Sequence, residues 1–89
     1  MSITSKIVET IREQVDYYEQ YSSIAEGQQN LVDGYKAAKI KKVHEQLRLA
    51  EYETKAQGYK DFARTLYNNF KDDFDDDELT EVKELIKKL

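Results

Sequence analysis

The chain has 89 residues, 36% of them charged and 39% hydrophobic, with a net charge of −4 and no cysteine, proline or tryptophan. That length allows one domain, which buries only about 60–65% of the surface exposed by its unfolded form. The lack of cysteine excludes disulfides, thiolate metal centres, iron–sulfur ligation and cysteine nucleophiles. No apolar run approaches the length of a membrane span, and the first ten residues lack the apolar core of a signal peptide, so a cytoplasmic protein with no membrane partner is expected.

From Ile3 onward apolar residues recur at steps of three and four: Ile7, Val8, Ile11, Val15, Tyr18, Tyr21 and Ala25. That period places them on one face of a helix. Ser2 or Thr4 offers a side-chain oxygen to the unpaired amides of its first turn. The stripe continues through Val32 and Tyr35, so the Asp33-Gly34 pair is the preferred stop and Gly27 the alternative. Helix 1 is therefore expected over about 3–33.

Helix 2 is expected over about 35–70. Ile40, Val43, Leu47, Ala50 and Thr54 form a short seam of coiled-coil type. Tyr52, Ala56, Tyr59, Ala63, Leu66 and Phe70 form a second stripe, about 140° further round at 100° per residue. Slow coiled-coil drift cannot produce such a jump, so the helix is read as burying one face early and another late. Gly58 permits a break there, but a lone glycine costs only about 1 kcal/mol in a helix, and a continuous helix is preferred.

The Asn- and Asp-rich run from Asn68 to Glu78 favours turns and caps. A final helix over about 77–89 follows, with Leu79, Val82, Leu85, Ile86 and Leu89 on one face, acidic residues at its N-terminus and Lys87 and Lys88 at its C-terminus, matching the helix dipole. The expected architecture is all-α: one domain, 1–89, made of a long antiparallel helical hairpin with a short C-terminal helix packed on its open end. This gives a three-helix head and a protruding arm. Ile3, Ile7, Val8 and Ile11 meet Tyr59, Phe62, Leu66 and Phe70 in the head, with Leu79, Val82, Ile86 and Leu89 returning across them.

Asp73, Asp75, Asp77 and Glu84 fall on calcium-loop positions one, three, five and twelve, but Glu78 stands where that loop needs glycine. Helix capping, with Asp75 and Glu78 at capping-box spacing, is preferred, and no metal site is expected. His44 is the sole histidine and no serine has a base at suitable spacing, so no catalytic residue, cofactor or enzymatic activity is expected. Lys36, Lys39, Lys41, Lys42 and Arg48 are read as spread around helix 2, which makes nucleic acid an unlikely partner at a pI near 5.0.

What remains is protein contact, as an adaptor, inhibitor or assembly factor. The leftover stripe Ile40, Val43, Leu47 and Ala50 is expected to be buried by a partner, a second copy of the chain in a homodimer or an unknown protein. Tyr17 and Tyr52, at the stripe edges, are candidate anchors. The acidic turn Asp72, Asp73, Asp75, Asp76 and Asp77 is a secondary docking surface for a basic partner. The alternatives are a nucleic-acid-associated regulator using the basic face of a dimeric arm, or an inhibitor whose acidic run imitates phosphates.

Overall fold

A computed structural model describes residues 2–89. Three helices follow in order: α1 (Ile3–Ala37), α2 (Val43–Phe70) and α3 (Asp76–Ile86). The first two pack antiparallel along their length and the short third lies on them, as the sequence predicts. The molecule is a rod with extents of 54 × 19 × 17 Å.

Local chemistry sets the ends of each helix. Ser2 caps α1 by accepting a hydrogen bond from the Ser5 amide at 3.2 Å. At the other end α1 runs past both Gly27 and Gly34 to Ala37, so the expected stop at Asp33-Gly34 is corrected. The chain turns at Lys39 instead, a non-glycine residue with φ of 60°. There the Lys39 amide donates to the Lys36 carbonyl at 3.0 Å and the Ile40 amide to the Tyr35 carbonyl at 2.8 Å. These two bonds form the left-handed Schellman closure of a helix C-terminus. The bonding decides the stop, and glycine content does not. Consequently α2 starts at Val43 rather than near residue 35, and Ile40 lies in the turn, outside the helical stripe to which the sequence assigns it.

At the start of α3, Asp75 accepts from the Glu78 amide at 2.8 Å while the Glu78 carboxylate accepts from the Asp75 amide at 3.1 Å, the reciprocal capping box. Phe74, just before the cap, and Leu79, four residues into the helix, join the same core cluster. This pair is a hydrophobic staple, which fixes the angle at which the chain enters the helix. The helix ends at Ile86, three residues short of the expected end, and Lys87 to Leu89 continue as turns.

The core lies in the head. Ile7, Val8, Ile11 and Val15 of α1, Ala63 of α2, Phe74, and Val82 and Leu85 of α3 are buried together, with Leu66, Tyr67, Phe70, Leu79, Ile86 and Leu89 packed against them. Each large apolar side chain so removed from water contributes about 1.5–3 kcal/mol. Arg12 spans α1 and α3, its guanidinium nitrogen donating to both carboxylate oxygens of Glu81 at 2.7 and 2.8 Å. Three expected head members lie outside this cluster: Ile3 is 74% and Phe62 47% exposed, and Tyr59 packs against Tyr17 and Tyr21 in the arm instead. Phe74, hidden among aspartates in the sequence, takes a core place instead.

Candidate functional site

Beyond the head, α1 and α2 continue as a two-helix arm with nothing on either side. Its inner seam on α2 runs Glu45, Leu49, Tyr52, Ala56, Tyr59, Ala63, Leu66 and Phe70, all buried or half-buried, in alternating steps of four and three. This regular line corrects the expected change of face between Thr54 and Tyr59. One seam serves the whole helix, and α2 passes through Gly58 without a break. The seam is disguised in the sequence because its outermost position is a charged residue. Glu45 is accommodated by Gln28 of α1, whose amide nitrogen donates to the Glu45 carbonyl and carboxylate, both at 2.9 Å. Arg48 adds an ion pair to Glu45 at 3.7 Å.

Tyrosines fill the middle of the arm. Tyr17 and Tyr21 pack against Tyr59 with ring centroids 5.1 and 5.5 Å apart, and Tyr21 against Tyr52 at 6.4 Å, all tilted. Such offset aromatic pairs add about 0.5–1.5 kcal/mol beyond the area they bury. Lys55 lies 5.3 Å over the Tyr21 ring and Lys60 5.8 Å over Tyr18. Of the two candidate anchors, Tyr52 is therefore held half-buried inside the hairpin, while Tyr17 keeps one side in solvent.

The other stripe expected on α2 is also real, but it faces outward. Leu47 precedes the inner Leu49 by two residues, which places it about 160° round the helix. Val43 is 49% and Leu47 55% exposed, and Ala50 is exposed beside them. Leu47, Ala50, Glu51, Thr54 and Lys55 line a shallow, open depression. Ile40, also exposed, lies in the turn before α2.

A second outward line lies on α1 and has no counterpart in the sequence reading. Tyr17, Ile24 and Leu31 are spaced by seven residues and are each nearly half exposed, Ile24 at 46% and Leu31 at 44%. Heptad spacing is the signal that would have found it, because residues seven apart lie almost on one line of a helix.

The charged candidates separate by position. Asp72, Asp73, Asp75, Asp76 and Asp77 are all exposed at the α2–α3 turn, and Asp75 is engaged as the cap. Because α3 starts at Asp76, Asp77 and Glu84, two of the four residues a calcium loop requires, are already helical. Among the described residues no group of three or more His, Asp or Glu side chains is placed to hold a metal ion. Lys36, Lys39, Lys41 and Lys42 gather at the tip of the arm, in the last turn of α1 and the loop after it, instead of being scattered round helix 2. Of these, Lys42 sits 5.5 Å over the Tyr35 ring. His44 is exposed close by. Among the described residues no helix is long and apolar enough to cross a membrane. Comparison of the chain with protein-family models, curated proteins and solved structures finds no match.

Proposed function

We propose that the chain is a non-enzymatic protein–protein interaction module, an adaptor, inhibitor or assembly factor, with the outer face of α2 as the surface that meets a partner protein. One observation carries this reading: Val43, Leu47 and Ala50 stand exposed on a helix whose other face already holds the hairpin together. Contiguous exposed apolar surface rimmed by polar residues is the usual mark of an interaction site. Here Glu51, Lys55 and Arg48 supply the rim, and Tyr52 supports the helix from inside.

The experiment is site-specific photo-crosslinking in the native host. A photoreactive side chain at Leu47 is expected to give a discrete adduct of higher mass, and the same group at Lys83 of α3 none. An adduct pattern identical at the two positions, or none at either, contradicts the proposal.

A second reading has one observation in its favour, the four lysines at the arm's tip. Clustered lysines suit the phosphates of nucleic acid, and such binding weakens by orders of magnitude between about 50 and 200 mM salt. A fluorescent duplex titrated with the chain over that range distinguishes this reading, since an apolar protein contact changes little.

A further inference from the structure

Resting on the reading of the chain as a protein-contact module, we propose that the outer face of α1 docks a second copy of the chain, α1 against α1, antiparallel about a two-fold axis near Gly27. The face is a complete second seam. Tyr17, Gln20, Ile24, Gly27, Leu31, Gly34 and Ala38 follow one another at steps of three and four, and all are exposed. It spans roughly 30 Å at 1.5 Å per residue. Contact over that length buries on the order of 1,000 Å² in total, the lower bound for a specific interface.

Charge chooses both the partner and the direction. The first half of α1 exposes Glu9, Glu13, Asp16 and Glu19 against Lys6 and Arg12, whereas its far end and the turn expose Lys36, Lys39, Lys41 and Lys42 against Glu26 and Asp33, leaving a net negative half and a net positive tip. Of these only Arg12 is in an ion pair among the described residues. A parallel second copy sets carboxylates on carboxylates and lysines on lysines. An antiparallel one sets each acidic half beside the other copy's basic tip. The register that places Ile24 opposite Leu31 of the second copy also brings Asp16 towards Lys39, just past the end of α1. Between these charged ends Ser23 and Asn30 stand beside the apolar centre, with Glu26 exposed next to the crossing. At the crossing, Gly27 has no heavy atom within 4 Å of where a Cβ would stand, so it leaves room for close approach.

The test is sedimentation equilibrium of the full chain over a range of concentrations. The mass is expected to rise from 10.5 kDa towards twice that value. Leu31→Asp, at a surface position that leaves the inner seam intact, is expected to weaken association by at least about tenfold. Asp16→Lys and Lys39→Glu are each expected to weaken it by about threefold to tenfold, and the two together to restore it, because only the antiparallel register pairs them. A chain monomeric at every concentration, a Leu31→Asp variant of unchanged mass, or a double variant weaker than either single one overturns the proposal. Leu47→Asp separates this inference from the proposed function. It is expected to leave the dimer mass unchanged, and loss of the dimer with Leu47→Asp but not with Leu31→Asp moves the interface to α2, overturning the α1 dimer while leaving a protein-contact module.

Discussion

Ile11→Ala is the sharpest probe of how the head is built. Ile11 is fully buried, in one cluster with Val15, Ala63 and Val82, which are also fully buried. The substitution removes three carbons, worth about 0.8 kcal/mol each in transfer from water, or about 2.4 kcal/mol. Helices from three directions meet at this side chain, so the space cannot close by moving one neighbour, and the cavity term raises the cost to about 3–4 kcal/mol. An 89-residue domain has about 4–13 kcal/mol in all. At about 4–8 °C per kcal/mol, Tm falls by at least about 12 °C. Thermal unfolding followed by circular dichroism at fixed protein concentration reads this directly. Val82→Ala is expected to lose less, in proportion to its two carbons, and to be non-additive with Ile11→Ala because the two share one cluster. Ile3→Ala, at a site the core does not reach, is the control, with an expected change under about 0.5 kcal/mol. A cost at Ile11 below about 1 kcal/mol, or equal costs at Ile11 and Ile3, refutes a core centred where the three helices meet.

Four further outcomes follow from local geometry, each readable by denaturant or thermal unfolding. Asp75→Ala removes the cap of α3 and is expected to cost about 1 kcal/mol. Lys39→Gly relieves a left-handed backbone that favours glycine, so it is expected to stabilise the fold by about 1 kcal/mol. Gly58→Ala meets no neighbouring atom in the middle of α2 and is expected to stabilise by about 0.5–1 kcal/mol, whereas a loss of stability argues for a helix bent at that residue. Glu81→Gln breaks the Arg12 pair, but both side chains are about half exposed at 49% and 43%, and the expected cost stays under about 1 kcal/mol.

The helices, their order and the head were legible because period and capping act locally. Ile7, Val8, Ile11 and Val15 announce a buried face by spacing alone, and Asp75 and Glu78 announce a helix start. Three features were not legible, for separate physical reasons. The α1–α2 turn forms at Lys39 through two backbone bonds that leave no mark in residue type, while Gly34, the conspicuous stop signal, sits harmlessly inside the helix. The inner seam of the arm begins with Glu45, whose burial depends on Gln28 seventeen residues earlier, so the larger apolar residues Val43 and Leu47 drew the reading to the outer face. Phe74 reads as part of an acidic loop because its partners, on α1 and α3, are far away in sequence. The candidate surface is nevertheless close to the expected one. Val43, Leu47 and Ala50 keep their place, Ile40 becomes a turn residue, and the α1 line through Ile24 and Leu31 is added.

The head holds itself together, and the arm is proposed to carry the surface that meets a partner. Amide hydrogen exchange of the full chain in dilute solution, resolved along α1 and α2, tests this most directly. Amides around Ile11, Val15, Ala63 and Val82 are expected to open only with global unfolding. Those from about residue 24 to residue 50 exchange much faster and gain protection as concentration rises or a partner is added. Uniform protection along both helices in dilute solution, unchanged by concentration, contradicts it.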